Sequence, residues 1–241
     1  MPTITYSAWE QFPGWSGAPD WIAALVRRHA ARHVLEIGAG ANPTLPLDRL
    51  ADLGIAQYTT NDVSADELAK APPGYETLCA DFTDPALVLA RQYDFICSRM
   101  VNEHVRDGET YFRNIYRALT PGGVTAHAFS TLYALPFLAN RLMPEAVSSA
   151  LLNLFAPRDR HQHDKFRAYY SWSRGPTVRQ IRRFERLGFE VLEYRGFFGH
   201  RYYEHRLAPL HRAELAKERW LLRHPIPQLT AYATVVLRRP R

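Results

Sequence analysis

The chain has 241 residues, 46% of them hydrophobic, with 30 Lys+Arg against 24 Asp+Glu and only two cysteines. That length suits one domain with a sizeable insertion, or at most two small ones, and buries enough surface to need no disulfide or metal staple. The cysteines fit no CxxC or Cys/His spacing, MPTITYSAWEQF lacks the layout of a secretory signal, and no apolar run reaches the roughly 18–20 residues of a spanning helix, so the composition reads as soluble and cytoplasmic.

Charge is unevenly spread. Residues 1–156 carry 11 Lys+Arg and 16 Asp+Glu, whereas residues 157–241 carry 19 and 8. A basic C-terminal third is suited to an anionic substrate, nucleic acid or an acidic membrane, or simply to a solvated, solubilising surface.

In chain order, Pro2, Pro13, Gly14, Gly17 and Pro19 argue for an irregular arm. Asp20 then reads as the N-cap of a helix from Trp21 to about Ala31, with Ile22, Leu25 and Val26 as its apolar stripe, so 1–33 is an arm plus one helix. Strand-sized runs follow at Val34–Ile37, Gln57–Asn61, Glu76–Cys79, Tyr93–Cys97, Val124–Phe129, Phe189–Arg195 and Tyr232–Leu237. Helical patterns separate most of them, at Pro46–Leu53, Ala65–Lys70, Pro85–Arg91, Glu109–Leu119 and Thr177–Leu187. Seven strands alternating with helices predict an α/β fold, a mostly parallel sheet covered on both faces. Residues 131–175 break the alternation with a helix-like stretch, Leu135–Phe155, and a polar, aromatic-rich tail. That is too long for an ordinary connection and reads as a cap or lid.

The strongest local signal is VLEIGAGANP, residues 34–43. Glycine at 38 and 40 lets the backbone approach a ligand closely, since no Cβ stands in the way. A dinucleotide GxGxxG fingerprint would need glycine at 43, where Pro43 stands, and its pyrophosphate would tolerate Glu36 poorly. A ligand with an ammonium and a sulfonium would welcome that acid. Two further acids, Asp62 in TTNDVS and Asp81 in CADFTD, follow the second and third strands. Taken singly they read as a helix cap and an Asx-turn, and Glu36 as a cap of the next turn.

Together these residues resemble the class I S-adenosylmethionine (SAM)-dependent methyltransferases of small-molecule, methyltransferase-domain type. Glu36-Ile37-Gly38-Ala39-Gly40 is similar to the family's ExGxG motif, whose loop holds the methionine part of SAM; Asn42 stands where a third glycine is common. Asp62, with Val63 after it, matches the acid that accepts both ribose hydroxyls. Ala80-Asp81-Phe82 resembles the adenine-binding step. YDFICSRMVNEHV resembles the fourth motif, supplying Ser98, Arg99, Met100, Glu103 and His104, and YFRNIYRALTPGGV the helix–PGG–strand segment after it. The resemblance covers about residues 30–130 and implies a Rossmann-like sheet of order 3-2-1-4-5-7-6 with strand seven antiparallel, in a single domain spanning 1–241. It implies SAM as cofactor, converted to S-adenosylhomocysteine, without a metal. His161-x-His163 with Asp164 reads as solvated loop residues.

The sulfonium methyl is already activated, so the enzyme mainly aligns the acceptor and excludes water. His104 is the candidate base for an acceptor that must lose a proton, or else a residue ordering its loop. Tyr133 is a candidate to orient the acceptor, and His127, inside a strand, reads as a packed residue. Tyr169, Tyr170, Trp172, Arg174, His200 and Tyr203 are candidate acceptor contacts, their rings for an apolar face and their cations for an anionic group. Trp9 and Trp15 could close over that pocket, and Lys165 and Arg201 could add charge to it. The strand order separates Cys79 from Cys97 by roughly 14 Å, too far for a bond; both read as buried and reduced. The acceptor is expected to be a small organic molecule, a secondary metabolite, sugar or lipid. Nucleic acid is disfavoured, because no RNA-binding module is present. The rival readings are RNA or protein methylation, or SAM binding without catalysis. Oligomeric state is not legible.

Overall fold

The computed structural model describes residues 4–132, 168–201, 203–204 and 207–241. Eight strands form one sheet: β1 (Ile4–Ala8), β2 (His33–Ile37), β3 (Gln57–Asp62), β4 (Glu76–Cys79), β5 (Tyr93–Arg99), β6 (Leu119–Ser130), β7 (Glu190–Phe198) and β8 (Tyr232–Arg238). Their order is β1-β7-β8-β6-β5-β2-β3-β4. Taken from β4, the first seven reproduce 3-2-1-4-5-7-6, and β8 is antiparallel to both β6 and β7. The eighth strand corrects the expected count. Part of the irregular arm is β1, which pairs in parallel with β7 from Ile4↔Tyr194 to Ala8↔Phe198 and extends that edge.

Strand alternation explains the two apolar faces. Val34 of β2 points with Tyr58, Phe95 and Cys97 toward α1 (Ala18–His29), meeting Ile22, Leu25 and Val26. Leu35 and Ile37 point the other way, into a larger core with Phe112 and Ile115 of α4 (Gly108–Ala118) and Ile181 and Phe184 of α5 (Val178–Arg186). Phe184 is fully buried against Phe112 and Trp172, so truncating it to alanine would cost about 3–5 kcal/mol.

Helix ends follow their side chains. Asp107 caps α4 by accepting from Glu109 and Thr110 N–H, and Thr177 caps α5 through Gln180 N–H. Asp20 is not a cap: α1 starts earlier, at Ala18 with Pro19 in its first turn, and Asp20 pairs with Arg49 of α2 (Leu47–Asp52). Ser64 caps the short α3 (Ala65–Leu68).

Three other expectations change. Residues 85–91 are turns and bends rather than a helix: Asp84 accepts Ala86 N–H, while Asn114 donates to the carbonyls of Phe82 and Asp84. A helix the sequence did not announce, α6 (Ala208–Arg223), lies between β7 and β8; its buried positions include Glu214 and Glu218, which hide its periodicity. Cys79 is exposed on the edge strand rather than buried, whereas Cys97 is buried; both are free. The expected helix at 135–155, Tyr133 and the His161–Lys165 group lie outside the described residues.

Candidate active site

The glycine turn leaving β2 is made by two left-handed residues, Gly38 at φ 69° and Gly40 at φ 49°. A Cβ on Gly38 would stand 2.4 Å from Val101, and one on Gly40 would stand 3.2 Å from the Asp62 carboxylate. Close approach of three chain segments thus demands glycine at both positions. Ala39 N–H donates to Asn61 O, tying the turn to the end of β3, and Arg99 reaches Asn42 O at 3.5 Å.

Glu36 is only 2% exposed and does not line the cavity described below. Its carboxylate accepts from Thr44 N–H (2.8 Å), from the Thr44 hydroxyl and from the Tyr58 hydroxyl (2.6 Å). It lies on the α1 side of β2, in the same alternation as Val34, and anchors the return of the glycine loop from beneath. An acid that lines that cavity is Asp62. One of its oxygens accepts Ser64 N–H at 3.0 Å, and the other stands beside Gly40.

A cavity of about 350 Å³ opens at the carboxyl ends of β2, β3, β4 and β5. Of the predicted cofactor residues, Gly38, Asp62, Val63, Ala80, Asp81, Phe82 and Met100 line it, as does His104; Glu36, Ala39, Gly40, Asn42, Ser98 and Arg99 do not. Asp81 is exposed and accepts Thr83 N–H and Oγ1–H, both at 2.7 Å, which fixes its carboxylate at the rim. Phe82 is buried against Tyr111 rather than stacked over open space.

Several lining residues were not singled out in the sequence. Asn61 donates to the carbonyls of Leu78 and Ala80, holding β4 against β3. Val101 fills the space over Gly38, and Tyr111 contributes a buried hydroxyl beside Ser98. Burial raises that phenol above its ordinary range. Asn61, Val101 and Tyr111 lie within the segments TTNDVS, YDFICSRMVNEHV and YFRNIYRALTPGGV, so membership of the motifs was the available signal.

Met100, at the end of β5, is a non-glycine residue at φ 56°, held there by its N–H bond to Ala128 O. Left-handed backbone at such a residue costs about 1–3 kcal/mol and persists only where the surroundings fix it, often at functional sites. Beneath it Ser98 donates to Asn102 and meets His127 Nδ1 at 2.7 Å, while Thr125 Oγ1 lies 2.7 Å from His127 Nε2. Burial drives His127 down to about 3, so it is a neutral packed residue, as expected. Glu103 is buried, accepts Ser130 Oγ–H at 2.9 Å, and is pushed up by desolvation.

The candidate acceptor residues do not line the cavity. Tyr169 and Tyr170 donate backbone N–H to Glu103 O, docking the exit of the 131–175 segment beside His104. Trp172 stacks on Phe112 at 5.6 Å beneath Arg183 and packs against Gly108, where a Cβ would stand 2.5 Å from its ring. Its faces are occupied by packing. Arg174 donates to Tyr170 O. His200 and Tyr203, 5.2 Å apart, lie beside α6, where His200 sits 3.6 Å from Glu214. Trp15 rests edge-on to Phe12 and Tyr232, and Arg201 covers Trp9.

A larger cavity of about 690 Å³ lies at the opposite end of the sheet, among Arg28, Arg32, Asp94, Gly122, Glu190, Arg238 and Arg241. It lacks the glycine turn and the strand-end carboxylates, and open α/β sheets bind ligands at the carboxyl ends of their strands. Among the described residues no cluster of His, Cys, Asp and Glu is arranged to hold a metal.

Residues 35–126 match the family model of a methyltransferase domain. No curated protein matches the chain. Among solved structures, N-methyltransferase NodS from Bradyrhizobium japonicum WM9, in complex with S-adenosylhomocysteine, is similar over 97% of this chain and 92% of its own, at 13% identity and TM-score 0.53. A SAM-dependent methyltransferase from Clostridium acetobutylicum ATCC 824 is similar over 96% and 93%, at 12% identity and TM-score 0.54. Another from Mesorhizobium loti gives 93% and 99%, at 18% and 0.51. At such identities the likeness is one of fold. Residues 35–126 thus carry the match to a methyltransferase domain, and the chain as a whole has the fold of these SAM-dependent methyltransferases.

Proposed function

We propose that the protein methylates a small organic acceptor of the secondary-metabolite, sugar or lipid-tailoring kind, as a single cytoplasmic domain whose 131–175 segment caps the acceptor side. The observation that carries the reading is the cavity at the strand ends, with Asp62 and Asp81 at its rim and His104 on its wall. The residues present fit the cofactor: the glycine turn leaves room that any Cβ would fill, and both carboxylates are acceptors for a nucleoside's hydroxyl and amine donors. When bound, SAM supplies an activated methyl group.

In this reading Gly38, Ala39, Gly40 and Asn42 shape the backbone around the methionine part, with Glu36 holding that loop from the core. Asp62 takes the ribose, with Val63 beside it. Ala80, Asp81 and Phe82 bound the adenine, Phe82 through its packing with Tyr111. Ser98, Arg99 and Met100 set the floor between cofactor and acceptor. His104 receives the acceptor's proton where one must leave, and Tyr133 orients the acceptor. Tyr169, Tyr170 and Arg174 sit on the acceptor side by their attachment to the Glu103 turn; Trp172 supports them from outside, and His200 and Tyr203 form a more distant wall. Exposed, unpaired Cys79 is in keeping with a reducing compartment.

The reading is tested by calorimetric titration with SAM, followed by transfer of labelled methyl to panels of amino sugars, phenols and lipid alcohols. Saturable binding that is weakened in Asp62→Ala, with label appearing in one panel, supports it. Binding without transfer to any small acceptor, or transfer only to RNA or protein, contradicts it.

A further inference from the structure

Arginines are spread over the described surface, and α5 gathers four of them on one face. Outside α5, Arg28 pairs with Glu193, Arg49 with Asp20, Arg91 with Glu76, Arg113 with Glu109, Arg201 with Glu10 and Arg238 with Glu190, whereas exposed Arg27, Arg32, Arg106, Arg117 and Arg219 form no ion pair among the described residues. On α5 they lie in one row. Its buried positions are Gln180, Ile181 and Phe184, and at 3.6 residues per turn Arg179, Arg182, Arg183 and Arg186 fall within an arc of about 100° on the opposite side. None of the four forms an ion pair with a carboxylate among the described residues, nor does Arg174 just before the helix. Arg183 donates to Gln180 and lies over Trp172, and it is depressed from the ordinary guanidinium range by burial and by its neighbours Arg179, Arg174 and Arg186. Like charges are crowded here, with Glu185 on the same helix and Glu109 of α4 as the acids nearby.

Apolar groups stand at the start of this row. Val178 is 46% exposed, and Gly175 packs against Pro227, bringing up the turn that carries Ile226 (36% exposed) and Leu229 (38% exposed). Guanidinium groups beside exposed aliphatic side chains are suited to a lipid headgroup layer, where charge meets phosphate and the aliphatics enter the interface. A nucleic-acid surface would add exposed rings for stacking or polar groups for base edges. The ring nearest the arginines, Trp172, has its faces taken by Phe112 and Arg183.

We propose that the outer face of α5, with Val178, Ile226 and Leu229 at its head, docks the protein on an anionic phospholipid surface. The surface adjoins the segment 169–175 that is anchored on the Glu103 turn next to the cofactor cavity, so docking would hold the acceptor side near the membrane. The docking itself does not depend on which acceptor is methylated.

The test is co-sedimentation with phosphatidylcholine vesicles, with and without phosphatidylglycerol, using the full chain and the triple variant Arg179→Glu, Arg182→Glu, Arg186→Glu. Retained SAM binding and an unchanged melting temperature show that the variant is folded. The wild type is expected to bind the phosphatidylglycerol vesicles and to be released by salt. The triple variant should bind at least about 100-fold more weakly, each lost cation near an anionic surface being worth about 1 kcal/mol. Val178→Ser with Leu229→Ser should weaken binding several-fold at all salt concentrations. Equal binding to phosphatidylcholine alone, unchanged binding of the triple variant, or displacement of the protein from vesicles by single-stranded RNA would overturn the proposal.

Discussion

The two halves of the sheet are built on different rules. From β2 to β5, each strand ends in the residues of its own motif, so neighbours in sequence become neighbours around the cavity. From β6 to β1, groups distant in sequence meet: β1 pairs with β7, the 169–170 backbone with Glu103, and Gly175 with Pro227. The first half carries Asp62 and Asp81 at its strand ends, and the second carries the arginine row of α5. A ligand site read from contiguous motifs should respond to single substitutions, whereas a face assembled from afar should respond only to several at once.

Within the first half, the sharpest test is Gly38→Ala. Its Cβ would meet Val101 at 2.4 Å in a left-handed conformation. Strain and overpacking together should cost about 3–4 kcal/mol, seen as a loss of SAM affinity of several hundredfold or more in calorimetry. Glu36→Ala should act on stability instead, by about 3 kcal/mol in urea unfolding, because Thr44 N–H and the buried Tyr58 hydroxyl lose their acceptor. Asp62→Ala should divide oppositely: SAM affinity falls about 10–100-fold, while stability changes by less than about 1 kcal/mol, since the carboxylate serves one backbone N–H. Equal effects of these two variants on both readouts would erase the distinction between the supporting acid and the cavity-lining one.

A smaller effect separates the buried core from both halves. His127 is held near 3, well below its ordinary 6.5, so the folded protein resists the proton that the unfolded chain accepts. Its contribution to stability is therefore constant above pH 6.5 and is lost as pH falls from 6.5 toward 3, with a limiting slope of about 1.4 kcal/mol per pH unit. The slope should lessen in His127→Gln. Smallest is Thr177→Ala, which removes the α5 cap and should cost about 1 kcal/mol while leaving SAM affinity unchanged.

Much of this was legible in residues whose surroundings are local. The apolar run Val34–Ile37 before Gly38, and the acids after β3 and β4, placed the cavity. Glu36 shares the parity of Val34, which faces α1, so its place beneath the glycine loop was legible in the strand alternation. β1 was missed because Ile4–Ala8 shows no clear alternation of burial and depends on β7 for its pairing. At 85–91 the side chains of Asp84 and Asn114 outcompeted a helical pattern. The acceptor residues were hardest, because rings such as Trp172 are apolar for packing and for binding alike.

The most direct test is a crystal structure with S-adenosylhomocysteine. Its ribose is expected on Asp62, its adenine between Asp81 and Phe82, and its sulfur toward Met100 and His104. Occupancy instead of the arginine-lined cavity at the opposite end of the sheet, or a ligand at the strand ends that leaves Asp62 without a contact, would contradict that placement.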